Sequence, residues 1–417
     1  MYVDLFLRIL PLALCGAGLG VLAGCVPGIH VNMVSVMILA ISAGSRMDPV
    51  LFSVVILSMA VVQTFLNILP AIFLGAPDPD AVLSVLPGHR MLLEGRGFEA
   101  VWLSVIGSLG AVVLACALAL PMIALLPALY PIVACVLFPL LLCIEASVVA
   151  AEPTGWKMVY AVLVILLSGT LGILITSSGF MATDKALFPA LSGLFGVSTL
   201  ILSSESGVQI PRQDMDTSTA LGRLALAKST FAGFFAGMIV GILPAVGCAQ
   251  ATVLAQRITG ENDHRSFIVA ASGVNTANMI FGLVCLYSIG KARNGAVKAI
   301  QQLLGGRLDF NLLILLIGVT LMCGGIGALL TRSLGGLFAN NISRLPYVLL
   351  ARGVVAMVAA MVLIICGPRG LLVLFTATFL GFLPPILGIR RVHNMGVLMV
   401  PTLIYFSGYR SFILGLL

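Results

Sequence analysis

Between Lys228 and Arg257 the chain runs 28 residues without a charged side chain, and Pro244 stands inside that run. Wound as a helix at about 1.5 Å per residue, it would measure about 42 Å. A hydrocarbon core is about 30 Å thick, so one straight crossing overshoots it and two do not fit. Proline has no amide hydrogen and its ring collides with the preceding turn, so a helix ends or kinks there. The run therefore reads as a discontinuous helix or a re-entrant hairpin whose tip, "PAVGCAQAT", lies at membrane depth.

The rest of the chain fits that reading. Of 417 residues 60% are hydrophobic and 9% charged, with a mean hydropathy of +1.17, more apolar surface than a soluble domain can hide. The expected fold is an all-α polytopic membrane protein with roughly ten to twelve membrane-embedded helical segments, counting short ones. The apolar stretches are solid rather than alternating, which excludes a barrel. The net charge of +7 is scattered over short loops, a pattern that suits anchoring against lipid head groups. No basic run interleaved with aromatics suggests nucleic acid. Nine cysteines occur without a CxxC pair and read as small hydrophobes. At the N-terminus, Asp4, the bulky Leu14 before Cys15 and apolar character continuing to about Ala43 favour a retained membrane segment over a cleaved leader.

The sequence contains itself twice. Residues 16–42, "GAGLGVLAGCVPGIHVNMVSVMILAIS", set Gly16, Gly20, Gly24 and Pro27 opposite Gly233, Gly237, Gly241 and Pro244 of residues 233–259 without a gap. Downstream, "VVQTFLNILPAIF" and "GVNTANMIFGLV" put Gln63, Thr64 and Asn67 beside Asn275, Thr276 and Asn278. Residues 1–202 and 229–417 are thus two repeat halves of one membrane domain, joined by a polar connector at 203–228. An inverted relation is expected, since secondary transporters commonly use it. Glycines spaced by four share a helix face and let a neighbouring helix approach closely.

Irregular backbone in lipid leaves amides and carbonyls unsatisfied at several kcal/mol each, so both broken tips must face protein, water or a solute. A helix starting after a break carries about half a positive charge, attractive to a carboxylate or phosphate. Past Pro27 come Gly28, His30, Asn32 and Ser35; past Pro244 come Gly247, Cys248, Gln250 and Thr252. These either satisfy local backbone or coordinate a solute or ion, and His30 titrates near neutral pH. Gln63, Thr64, Asn67, Asn275, Thr276 and Asn278 offer oxygens to a hard cation such as sodium and donors to a carboxylate, without a buried charge. Their other reading is hydrogen bonding between helices. Lys291 and Arg293 are candidate anion contacts, against a plain reading as interfacial charges; Asp78, Asp80, His89, Arg90, Glu94 and Arg96 read as solvated loop groups, and Asp184 with Lys185 as an ion pair in a turn. No HExxH, P-loop, GxSxG or paired-cysteine signature occurs, and the four histidines are far apart. No catalytic residue, metal centre or cofactor is therefore expected beyond a coupling sodium ion or proton.

At "GVLAGCVPGIHVNMVS", "TFLNILPA" with "VLPGHRMLLEGRGFEAVWLSVIGSLGA", "KALFPALSGLFGVSTLILSS", and "AGMIVGILPAVGCAQATVLA" with "ASGVNTANMIFGL", the chain resembles the large membrane subunit family of tripartite tricarboxylate transporters in a divergent, archaeal-type form. The pieces span about residues 16–290 in family order. The resemblance implies a secondary carrier for carboxylates in a prokaryotic cytoplasmic membrane, powered by a cation gradient. It also implies a small membrane subunit and an extracytoplasmic solute-binding protein as partners. The chain departs from the family pattern at Ala245, where glycine is expected, and at "SIGKARNG", which replaces a Pro-Gly turn.

Together these readings give a multi-pass, cation-coupled secondary transporter for a small organic anion, with membrane lipid around it and a homo-oligomer as an open option. The alternatives are a flippase for a lipid-linked phosphate and, in another class, an intramembrane enzyme.

Overall fold

The computed structural model describes residues 2–26, 29, 31–45, 47–75, 85–177, 179–181, 183–205, 210–242, 248, 251–252, 255–256, 263–306, 308–344 and 346–408. Among these no strand occurs. The first half contributes α1 (Tyr2–Cys25), α2 (Val31–Ala43), α3 (Pro49–Leu66, prolonged by a π turn Pro70–Leu74), α4 (Val85–Leu93), α5 (Gly97–Ala150), α6 (Gly155–Ser177), α7 (Thr183–Leu191) and, after a second π turn, α8 (Ser198–Glu205). The second half contributes α9 (Arg223–Ile242), α10 (His264–Ile289), α11 (Gly295–Leu303), α12 (Phe310–Ile342), α13 (Tyr347–Leu387) and α14 (Gly396–Phe406). Nine described stretches are long and apolar enough to cross a membrane, and the shorter apolar helices Phe138–Ala150 and α2 bring the embedded segments into the expected range.

The two innermost helices are α3 and α10, whose spanning windows are 83% and 89% buried, against 22% for α13. Their ends match. Asp48 caps α3, accepting a hydrogen bond from the Val50 amide at 2.9 Å, and Asp263 is the N-cap of α10. Each helix closes on a left-handed glycine, Gly75 (φ 61°) and Gly290 (φ 67°), a conformation that a Cβ disfavours. Asp263 and Gly290 each lie 215 positions after their counterparts.

The glycine ladders fix how the flanking helices lie on these two. A Cβ on Gly16 would fall 2.4 Å from the Val55 carbonyl oxygen, on Gly20 2.7 Å from that of Met59, and on Gly24 2.6 Å from the Leu66 Cβ. On Gly233, Gly237 and Gly241 it would fall 2.5 Å from the Ala270 oxygen, 2.6 Å from the Val274 oxygen and 2.5 Å from the Phe281 Cβ. These partners are again 215 positions apart, whereas the ladders themselves are 217 apart. The segment between ladder and inner helix is therefore two residues shorter in the second half. The equivalent of Gln63 is Asn278, and that of Ala60 is Asn275, which corrects the alignment drawn from the sequence. That alignment paired amides by residue type and slipped about one helical turn.

The contacts also set direction. Both numbers rise together along α1 and α3, so these helices are parallel, as are α9 and α10. At its end α1 faces Leu66, but α3 and its π turn run eight residues farther, about 12 Å. Ile242 ends α9 beside the level of Phe281, and α10 likewise continues eight residues to Ile289. Each flanking helix thus stops eight residues short of its partner's end, and the chain must return before the inner helix begins. Pro27 and Pro244, the expected breaks, lie outside the described residues.

Helix α5 runs parallel to α10, from Glu99 beside Arg265 to Ile123 beside Ser288. Helix α12 runs parallel to α3, from Gly327 on Phe65 to Phe338 on Phe73, and antiparallel to α5, with Gly324 on Val112 and Gly335 on Val101. It follows that α3 and α10 point in opposite directions and the two halves are inverted. Farther out, α13 folds sharply at Gly367 (φ 71°, ψ −170°): a Cβ on Gly370 would lie 3.0 Å from the Val362 side chain.

Replacing Gly16 or Gly233 by valine forces a side chain into a carbonyl and should destabilise the protein by about 1–3 kcal/mol. Gly18→Ala, with nothing within 4 Å of the new methyl, should leave the melting midpoint in detergent unchanged. Equal melting of all three variants would contradict this packing.

Candidate functional site

Where α3 and α10 cross, polar side chains of both halves meet. The Thr64 hydroxyl donates to the Val61 carbonyl at 2.7 Å and accepts from the Thr276 hydroxyl at 3.2 Å. One residue along, the Asn275 amide donates to Asn67 Oδ1 at 3.3 Å. All four are buried, and none carries a charge. A polar group in lipid needs such partners, and the opposite half supplies them.

Beside this crossing lies a cavity of about 30 Å³, room for a water or two, or a small ion. Three lining pairs, Ala60 with Asn275, Gln63 with Asn278 and Thr64 with Met279, are equivalent positions of the two halves, so the cavity sits at their pseudo-symmetry centre. Val31 and Asn32 of α2 and Asn294 and Ala296 at the start of α11 complete the wall, which contains no charged residue. Asn294 is the N-cap of α11, its Oδ1 accepting from the Val297 amide at 2.8 Å. A Cβ on Gly295 would lie 2.5 Å from Asn32 Oδ1, so glycine there lets α2 and α11 close on each other.

Donors and acceptors in this wall are unevenly matched. Gln63 is 3% exposed, and its Nε2 has no hydrogen-bond partner. The Asn278 amide nitrogen faces Cys248 Sγ at 3.4 Å, and that of Asn294 faces Met279 Sδ at 3.5 Å. Sulfur is a weak acceptor.

The structure thus brings Asn32, Gln63, Thr64, Asn275 and Asn278 to one cavity, with Asn67, Thr276 and Cys248 bonded directly behind them. Thr252 donates to the Cys248 carbonyl at 2.8 Å, a backbone role. Ser35 is buried without a partner for its hydroxyl, away from the cavity wall. Lys291 donates to the Tyr130 hydroxyl at 3.1 Å and Arg293 stacks 5.1 Å from the same ring; neither lines the cavity. Gly28, His30, Gly247 and Gln250 lie outside the described residues. Sequence reasoning missed Asn294, Ala296, Val31, Ala60 and Met279. Asn294 had a local signal, a capping asparagine before the amphipathic run "GAVKAIQQL".

The comparisons agree with the architecture. The family described as the tripartite tricarboxylate transporter TctA family matches residues 10–396. An uncharacterized protein of Methanocaldococcus jannaschii is similar to this chain, 28% identical over 395 residues that cover 93% of this chain and 96% of the relative. No solved structure matches.

Two histidines, His89 and His393, are buried. His89, read from sequence as a solvated loop group, sits on α4, where its Nδ1–H donates to the Ile72 carbonyl at 2.9 Å and its Nε2 accepts from the Tyr347 hydroxyl at 3.0 Å. The carbonyl lies in the π turn that follows α3, so the ring ties α4 to it. Its neighbours Arg90 and Glu94 do form an exposed pair at 3.0 Å. Lys185 lies in the first turn of α7 rather than in a turn between helices. His393 Nε2 donates to Glu152 Oε1 at 2.9 Å, and the same oxygen accepts from the Arg390 amide at 3.2 Å. Burial holds both histidines below their usual pKa, against the opposing pull of Ile72 on His89 and of Glu152 on His393. For Glu152, burial pushes upward, but the His393 bond and the Arg390 amide outweigh it and lower the carboxyl.

All three groups are depressed in the folded state, so their stabilisation is complete above the histidine value of 6.5 and is lost on acidification, first below 6.5 and then below the carboxyl value of 4.5. Melting midpoints in detergent should fall as pH drops from 6.5, and His393→Gln should flatten that slope. A variant with the wild-type slope would remove His393 from this account.

Proposed function

Because this chain belongs to the tripartite tricarboxylate transporter TctA family, and is thus the permease component of a transporter, we propose that it carries a small organic anion, a carboxylate, across the cytoplasmic membrane of a prokaryote, coupled to a sodium or proton gradient. The observation that carries this reading is the uncharged cavity, lined by amides and hydroxyls among apolar side chains, at the crossing of two inverted halves. Its wall is drawn from α2, α3, α10 and α11, elements of both repeats, so a rearrangement of one half against the other changes access to it. Inverted repeats exchange conformations in this way, opening the same site to each face in turn.

The short flanking helices supply the moving parts. Helices α1 and α9 stop about 12 Å before their partners end, and in the proposed carrier their tips lie within the membrane, close to the site. The tripartite family supports a small membrane subunit and an extracytoplasmic solute-binding protein as partners. The wall's neutral amides and hydroxyls suit binding and release, and the reading assigns them no covalent chemistry.

In proteoliposomes, an imposed sodium or pH gradient should drive uptake of a labelled carboxylate. Asn278→Ala should lower that uptake about tenfold, the loss expected for one hydrogen bond of about 1.4 kcal/mol, without changing yield or melting. Scrambling of a labelled polyprenyl phosphate with no carboxylate uptake would replace this reading by a lipid flippase.

A further inference from the structure

We propose that the cavity is a single-anion subsite, which seats one carboxylate at the N-terminus of α11 against the side-chain amides of Gln63, Asn278 and Asn294, and that the protein prefers singly charged solutes to tricarboxylates. The inference rests on the carrier reading for its role in transport, but the binding it describes is separately measurable.

The first ground is donor balance. Three side-chain oxygens around the crossing are committed within the protein: Asn294 Oδ1 to the Val297 amide, Asn67 Oδ1 to Asn275, and the Thr64 hydroxyl between Val61 and Thr276. The nitrogens are not. Gln63 Nε2 has no partner though the residue is 3% exposed, and the nitrogens of Asn278 and Asn294 face only sulfur. Buried polar groups are almost always hydrogen-bonded, so the buried Gln63 nitrogen calls for an acceptor, which the half-buried nitrogens of Asn278 and Asn294 beside it can share. A carboxylate oxygen is one; a bare cation is not.

The second ground is the helix. Nine-residue α11 begins at Gly295 with Asn294 as its cap, and Ala296 lines the cavity. A helix N-terminus carries a partial positive charge and unsatisfied amides, which favour an anion. Gln63 approaches the same space from α3, in the opposite half.

The third ground is charge. No lining residue is charged, and Lys291 and Arg293, close by in sequence, are held against Tyr130 outside the wall. A helix end and amide donors can match one negative charge. Three charges taken out of water without a lining cation would go uncompensated. The volume of about 30 Å³ likewise accommodates one carboxylate end and not several.

The test is ligand-dependent melting of the purified protein in detergent, titrated with formate, pyruvate and citrate at fixed sodium concentration and ionic strength. Formate and pyruvate should raise the midpoint saturably, half-saturating at a concentration about tenfold or more below that of citrate. Gln63→Glu keeps the shape but turns a donor into an anion, and should weaken formate about tenfold or more; Gln63→Met should do the same by removing the donor. A cation site would instead keep or gain sodium-dependent stabilisation in Gln63→Glu. Citrate half-saturating at or below formate, no saturable shift with either monocarboxylate, or formate affinity within about twofold of wild type in a folded Gln63 variant would each overturn the proposal. The citrate comparison needs only the wild-type protein. Citrate preference with gradient-driven citrate uptake would sink this inference and leave the carrier reading standing. Gln63-dependent formate binding without gradient-driven uptake of any carboxylate would do the reverse.

Discussion

The rest of the molecule depends on the approach of α1 to α3 and of α9 to α10 through glycines that leave no room for a Cβ. Lipid offers no hydrophobic drive for helices to associate, so close backbone packing must supply the attraction. With carbonyl oxygens where a side chain would stand, the flanking helices are held parallel to the inner ones and at a fixed height. Parallel neighbours in one chain require a return segment between them. Each flanking helix ends eight residues before its partner. The inverted arrangement of α3 and α10 is set separately, through α5 and α12, and the cavity lies where the two inner helices cross.

Much of this architecture was legible in the sequence, because its causes are local. Long apolar runs and glycines at intervals of four announce membrane helices with a packed face, whereas the breaks expected at Pro27 and Pro244 lie outside the described residues. What the sequence concealed was register. Gly16 and Gly233 lie 217 positions apart and their partners Val55 and Ala270 lie 215 apart, and a two-residue difference in the return segment leaves no mark in composition. Aligning by amide content therefore set Gln63 beside Asn275, when its place in the helix is that of Asn278. A helix turn of error keeps a residue on the same face but moves it about 5 Å along the axis, so the equivalences across the cavity had to come from packing.

The candidate site was read less completely, for a related reason. Gln63, Thr64 and Asn275 stand out because they are polar in apolar helices. Asn294 does not, since it sits in a loop rich in polar residues, and Ala60 and Met279 are indistinguishable from core. His89 misled in the other direction: a polar loop surrounds it, yet the π turn after α3 leaves a carbonyl at Ile72 for its ring to take. Capping groups and orphan carbonyls are created by the fold, so their partners show only when the fold is known.

The distribution of charge makes the choice of amides at the centre intelligible. The fastenings between α5 and α10 differ along their length. At one end Glu99 is buried between Arg96 and Arg265, at 2.9 and 2.8 Å, and at the other Lys291 and Arg293 lean on Tyr130. Between them the contacts are hydroxyls, with the Ser272 hydroxyl donating to that of Ser104 at 2.8 Å. Near the boundary an ion's desolvation is partial and a partner or water offsets it, whereas at mid-span a charge lacks both. An amide keeps a dipole strong enough to orient a guest and avoids the cost of a permanent buried ion while the cavity is empty. Under the proposed carrier role, a wall of neutral donors cycles between loaded and unloaded states, where a fixed arginine would be left without a counter-ion at every release.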